Sequence, residues 1–280
     1  MTPSQPNLSQ PAAAQPATAV SFRAPAWYHP IFSPEHGVYV MLFVSFLTGA
    51  AAAQQWTWAT TLALLCAFAG FQAEHPLTLQ IKQRRSWKPR FIVWGSLYVG
   101  IALGIAVYLY LQTPILLWLY LGAIAAFVID AISVFYRQQK SLANELLTFA
   151  AVCLAAPFAY VAVTGTWTLS VLGLWLLNTL FFSSAIFTVK LRKPRTASLV
   201  PGLIYHAIAT GIITGLWFIG WLAPITAIGF GVAPLKLGLV LTWQDWYRTT
   251  PIQNVAMLET TSALIFFLIV ALSLLPAHLS

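Results

Sequence analysis

Apolar residues in this chain gather in long, nearly uninterrupted stretches of about twenty, parted by short polar segments, and do not alternate as they would in strands. A helix rises about 1.5 Å per residue, so roughly 20 apolar residues cross the ~30 Å hydrocarbon core of a bilayer. Nine such stretches can be read, at about 34–53, 56–73, 91–111, 115–135, 146–164, 167–189, 199–220, 225–243 and 255–275. The pattern predicts an all-α polytopic membrane bundle of about nine transmembrane helices. Ser33-Pro34-Glu35 reads as the first helix start, with a capping hydroxyl, a proline tolerated at the first position and a carboxylate in the positive first turn. Gly229, Gly231, Pro234 and Gly238 are expected to loosen the eighth helix. Such breaks are tolerated where neighbouring helices or a wet cavity satisfy the backbone.

Residues 1–26, dominated by Gln, Pro, Ala and Ser and without a basic start before an apolar core, read as a disordered tail and not as a signal peptide. Residues 27–280 read as one transmembrane domain, with no inserted soluble domain and no internal repeat. Composition agrees: 59% of residues are apolar and 7% charged, with mean hydropathy +0.79, which excludes an ordinary soluble domain.

Charge then sets a direction. Arg23 precedes the first stretch; Lys82, Arg84, Arg85, Lys88 and Arg90 follow the second; Arg137 and Lys140 follow the fourth. Lys190, Arg192, Lys193 and Arg195 follow the sixth, and Arg248 follows the eighth, whereas the alternate connections near 54–55, 112–113, 165–166 and 221–224 carry no charge. By the positive-inside rule the amino terminus is cytoplasmic and the carboxyl terminus outside. The net charge of +8 lies in short loops and not on one soluble face, so it points to anionic lipid headgroups and away from nucleic acid. Cys66 and Cys153 sit inside apolar stretches without a partner at ligand spacing, so neither a disulfide framework nor a zinc site is expected.

The acids fall at the same end: Glu35, Glu74, Asp130, Glu145, Asp245 and Glu259, joined by His36, His75 and His206. Each has a plain structural reading. Glu35 suits a helix dipole, Glu74, Glu145 and Asp245 suit neighbouring Arg or Lys, and His36 or His75 alone suits a hydrogen-bonded interface. Asp130, His206 and Lys236 lie deeper, where a polar group costs several kcal/mol if it faces lipid. Glu35-His36 and Glu74-His75 are sequence neighbours at different helix azimuths, so they are not ready-made dyads. A carboxylate pair can nonetheless hold a divalent cation and an imidazole can shuttle a proton. Glu35, His36, Glu74 and His75 are therefore the candidates for catalysis. Asp130, Asn144, Glu145, His206 and Lys236 are expected to line a substrate cavity, and Lys190, Arg192 and Arg195 to receive an anionic headgroup. No particular metal or cofactor is specified by these spacings.

The run Pro34-Glu35-His36-Gly37-Val38-Tyr39 resembles the opening signature of the YwiC-like family of bacterial membrane proteins, a Glu-His-Gly-aromatic pattern on the first span. The basic run from Lys82 to Arg90, Ser141-Leu142-Ala143-Asn144-Glu145-Leu146, and Val189-Lys190 with Tyr205-His206 fit the same family, extending the resemblance over about residues 27–275. It implies a membrane fold and little biochemistry. A looser resemblance is to the UbiA superfamily of intramembrane prenyltransferases, which implies nine spans, a cytoplasm-facing cavity and two Asp-rich motifs that hold magnesium and a prenyl diphosphate. Here Phe71-Gln72-Ala73-Glu74-His75-Pro76 offers one carboxylate, and Lys190-Leu191-Arg192-Lys193-Pro194-Arg195 offers none. Magnesium-dependent prenyl transfer is therefore not expected, and a phosphate would be gripped by Arg and Lys directly.

Together these readings describe a UbiA-like membrane protein whose polar cavity binds a lipidic or isoprenoid substrate, as in an enzyme of quinone, pigment or lipid metabolism. Two other classes stay open. A transporter would use Asp130, His206 and Lys236 as an ion path, and a scaffold would dock a partner on its basic loops.

Overall fold

A computed structural model describes residues 28–83, 86–192 and 198–275, and among these there is no strand. The tail at 1–26 and Arg84, Arg85, Lys193 and Arg195 lie outside the described residues. The helices are α1 His36–Ala53, α2 Trp58–Lys82, α3 Pro89–Gln112, α4 Leu117–Phe135, α5 Leu142–Cys153, α6 Ala155–Thr164 and α7 Leu169–Lys190. They continue as α8 Val200–Phe218, α9 Pro224–Ile228, α10 Val232–Thr242, α11 Gln244–Thr249 and α12 Ile252–Leu274. The pairs α5–α6 and α9–α10 each form one interrupted rod, and a short 3-10 turn, Pro114–Leu116, leads into α4.

Eight of the rods are long and apolar enough to cross a membrane. The expected ninth, α2, has the length and falls short in apolarity, because Gln72, Glu74 and His75 enter its second half. It also runs nine residues past the expected end at Ala73, continuing through Pro76 to Lys82. The end at Ala73 is thus corrected: Pro76 removes one amide from the ladder, and the surrounding turns hold the helix together.

The two interruptions have identifiable causes. Pro157 has no N–H to give the Cys153 carbonyl, and the fifth rod turns at Leu154 between α5 and α6. Pro234 likewise offers nothing to Phe230, and the eighth rod tightens into a 3-10 turn at Gly229–Gly231. The expected loosening of this rod is present, but it sits toward the uncharged end.

Packing sets the order of the rods. α1 and α7 are the inner pair, each with 56% of its membrane-length window buried, against 11% for α3. α1 packs against α6 and α12 and touches α5 and α7. Its crossing with α6 is a backbone contact: a β-carbon on Gly49 would lie 1.9 Å from the Ala156 carbonyl oxygen. Small residues permit such approach in membranes, where lipid tails compete with side-chain packing. Asn178 on α7 ties the inner pair together by donating to Thr48 Oγ1 at 3.1 Å. Nearer the charged end, the Phe181 and Phe266 rings stack 3.9 Å apart between α7 and α12. Outward-facing Leu103, Ile124, Ile208 and Leu268 remain exposed, as faces meeting lipid would be.

Substituting Gly49→Ala should force α1 and α6 apart and lower the thermal midpoint of the purified protein by several degrees. Gly70→Ala, where a β-carbon would meet nothing within 4 Å, should leave it unchanged or slightly higher. Equal midpoints for the two variants would refute the close crossing.

Candidate functional site

Alternating rods bring nine helix ends to one side: the starts of α1, α3, α5, α8 and α12 and the ends of α2, α4, α7 and α10. Every described Lys and Arg lies at or near that side, and Gln54, Thr113, Thr166 and the 219–223 turn mark the other.

The deepest polar group there is an ion pair. Lys236 on α10 is 3% exposed, and its Nζ donates to Glu259 Oε2 on α12 at 2.6 Å. The other oxygen of Glu259 accepts from Thr188 on α7 at 3.0 Å, and the Lys236 ammonium lies 5.7 Å from the Phe181 ring centre. A buried charge is tolerable only when paired and hydrogen-bonded, which this triad achieves across three helices. His206 on α8 is buried, its Nδ1 lies 2.7 Å from the Gly202 carbonyl, and it is within electrostatic reach of both Lys236 and Glu259. Its Nε2 has no protein partner among the described residues.

Arg192, just past α7, donates through Nη2 to the Thr250 carbonyl at 2.6 Å and places its guanidinium 6.0 Å from the Tyr247 ring centre. Its Nη1 is buried and unpaired among the described residues. Tyr247 on α11 is fully buried. Burial pushes its phenol up to about 12, with the Glu259 carboxylate adding to the rise and Thr188 and Arg192 opposing it, so it stays neutral at physiological pH.

A second group gathers at the other flank of α7. Lys190 Nζ meets Glu145 Oε2 at 2.5 Å, linking α7 to α5. Asn144 Nδ2 donates to Asp130 Oδ1 at 2.7 Å, linking α5 to α4. Ser141 caps α5 by accepting the Asn144 amide at 3.3 Å. Thr188 and Lys190 in the final turn of α7, with Arg192 just past it, thus make the end of this helix the junction of both groups.

The four residues expected to catalyse are spread more widely. Glu35 and His36 open α1 in exposed positions, and Glu74 and His75 are half-buried on α2. Glu74 is within electrostatic reach of Glu35 and Asp130. Among the described residues no group of three or more His, Cys, Asp or Glu side chains could hold a metal ion. Beside them Gln72, 1% exposed, accepts from the Ser33 amide at 3.2 Å and from Tyr39 at 3.1 Å, and its Nε2 is left without a partner among the described residues.

The structure therefore joins Lys236 to Glu259 with His206 in electrostatic reach, sets Arg192 against Tyr247 and Thr250, and joins Asp130 to Asn144 and Glu145 to Lys190. Arg195 lies outside the described residues. Glu259 was an acid at this end but not among the expected site residues. Its signal was a lone carboxylate within the first turns of an apolar stretch, on a rod adjacent to one carrying a lone lysine. Thr188 and Tyr247 gave no such signal, since a threonine and an interfacial tyrosine are ordinary in spans.

A groove of about 470 Å³ opens on the same side, lined by Leu239, Val240, Trp243, Trp246 and Leu258. Val240 also packs in a small core with Tyr247, Leu191 and Val255, so the groove backs onto the polar cluster.

Apolar rods of membrane length, a buried ion pair between them and one charged end define an integral, multi-pass membrane protein. Residues 32–160 match the family model described as YwiC-like protein, which covers the Pro34–Glu35–His36 run, the basic run and the α5 start. Val189-Lys190 and Tyr205-His206 fall beyond that match, which is shorter than the expected 27–275. No curated protein and no solved structure matches the chain.

Lys236→Met should destabilise the purified protein by roughly 3 kcal/mol, because it strands Glu259 among apolar helices. Lys236→Met with Glu259→Gln should recover much of that loss. Thermal unfolding of the three proteins checks this, and a double variant no more stable than the single one would refute the pairing. Lys190→Met should cost about 1 kcal/mol or less, since the Lys190 and Glu145 side chains remain 27% and 28% exposed.

Proposed function

We propose that the charged end faces the cytoplasm and receives the anionic headgroup of a lipidic or isoprenoid substrate, in a UbiA-like enzyme of quinone, pigment or lipid metabolism. One observation carries the reading: an apolar, tryptophan-lined groove shares Val240 with the small core that holds Tyr247, and the Arg192 guanidinium lies over that ring. An acyl or prenyl chain suits the groove, and a phosphate suits unpaired guanidinium and imidazole nitrogens. Lys190, Asp130, Asn144 and Glu145 form the adjoining wall. Glu35, His36, Glu74 and His75 supply proton chemistry at the neighbouring mouth. Magnesium-dependent prenyl transfer is not part of this reading, because α2 offers a single carboxylate, Glu74, and the segment that follows α7 offers none.

An ion-coupled transporter is the second reading, favoured by the buried Lys236–Glu259 pair. The 3-10 turn at Gly229–Gly231 lies about two turns from Lys236, which separates the discontinuity from the charge.

Lipids extracted from the purified protein and profiled by mass spectrometry should contain one anionic species enriched over the bulk membrane, and Lys190→Gln with Arg192→Gln should lower it several-fold. A profile equal to bulk lipid in both would sink the substrate reading. For topology, Lys140→Cys should resist an impermeant maleimide applied outside intact cells, and Thr166→Cys should react. Native Cys66 and Cys153 are buried and give little background. The reverse labelling would invert the bundle.

A further inference from the structure

The opposite end of the bundle has its own hollow. A cavity of about 280 Å³ lies where α1 ends, α7 begins and the chain turns into α9, far along the rods from the Lys236–Glu259 pair. No charged side chain lines it. Its walls are apolar at Val171, Leu174 and Leu222.

The polar groups divide into committed and uncommitted ones. Thr168 Oγ1 accepts the Val171 amide at 3.3 Å, Thr226 shares a hydrogen bond with Ser273 at 2.7 Å, and Gln54 donates to the Leu274 carbonyl at 3.1 Å. Tyr160, Ser170 and Trp221 also line the cavity, and among the described residues none of their side-chain N–H or O–H groups has a protein partner. All three can donate, and the indole can only donate. The α7 start adds backbone amides, since the first N–H groups of a helix lack partners within it.

We infer that this cavity is a second binding site, for the neutral, carbonyl-bearing ring of a quinone-type molecule. An anion would find no cation here, and a metal or organic cation would find no carboxylate. A sugar brings hydroxyls on every edge and suits a wall polar throughout, whereas Ala52, Val171, Leu174, Leu222 and Leu274 make much of this wall apolar. A flat apolar ring with carbonyl oxygens instead matches donors set in an apolar wall. The volume lies just under the ~300–1,000 Å³ typical of small-molecule sites, so it takes the headgroup and leaves any isoprenoid tail to the bilayer. This inference does not rest on the substrate proposed for the charged end.

The test uses the full chain in nanodiscs of neutral phosphatidylcholine, titrated with 2,3-dimethoxy-5-methyl-1,4-benzoquinone and read by calorimetry. Tyr160→Phe and Trp221→Phe keep the ring volume and remove one donor each, and each should weaken binding on the order of fivefold. Ala223→Trp, at an exposed lining position, should abolish binding while leaving the thermal midpoint near that of the parent. Binding unaffected by all three variants, or no heat with the parent protein, would overturn the inference. So would binding that falls in Lys190→Gln/Arg192→Gln but not in Tyr160→Phe, because that places the ring at the charged end. Loss of the anionic lipid preference at the charged end would leave this result untouched, so the two proposals fail separately.

Discussion

The close approach of α1 to α6 governs much of the bundle. With no side chain at Gly49, the two backbones touch at Ala156, and Ala155 and Ala159 keep the rest of the seam thin. α1 can then reach α12 on its far side and α7 through the Asn178–Thr48 hydrogen bond. In a bilayer this matters more than in water, because helix association there comes from packing and hydrogen bonds and not from escape from solvent. A thicker residue at position 49 would move the central rod, and every polar end-group positioned by α1, α7 and α12 would move with it.

The inner position of α7 also explains why its last turn joins so many groups. A peripheral helix can present one face to the bundle, whereas α7 contacts α1, α5, α6, α8 and α10. Three positions spaced by two residues, Thr188, Lys190 and Arg192, therefore reach different neighbours: Glu259, Glu145 and Thr250. Pairing across helices gives register as well as tolerance of charge, since each donor has one acceptor at the right depth.

The rods were legible because bilayer thickness fixes helix length, although one of the nine, α2, falls short in apolarity, and the gathering of charge at one end was legible because basic residues recur at every second connection. The end of α2 was not legible. Gln72, Glu74 and His75 look like the exit from a membrane, and the sequence does not show that Gln72 is buried through bonds to Ser33 and Tyr39. The turn at Leu154 could have been read from Pro157, whose missing amide is a local fact. In the candidate site, depth was legible and partnership was not. Lys236 and His206 stood out as costly residues in apolar stretches, but which acid neutralises Lys236 depends on how α10 lies against α12. Glu145 and Lys190, 45 residues apart, carry no mutual signal in a single sequence.

The basic residues that set direction are consequently not equivalent. Lys190 and Lys236 face carboxylates, and Arg90 is tied to the His29 and Pro30 carbonyls, so much of their charge or donor capacity is already engaged. Arg137 occupies a left-handed turn, φ 60°, that glycine would adopt more easily, and its side chain stays exposed at the rim. Arg192 differs in its burial: Nη2 donates to the Thr250 carbonyl, and Nη1 is buried without a partner among the described residues, beside the Tyr247 ring. A charge held among apolar helices interacts more strongly with its surroundings than one at the exposed rim, so Arg192 and Arg137 are electrostatically unlike although both are arginines. The charged end is thus built from guanidinium, ammonium and carboxylate groups, whereas the hollow at the other end is lined by neutral side chains.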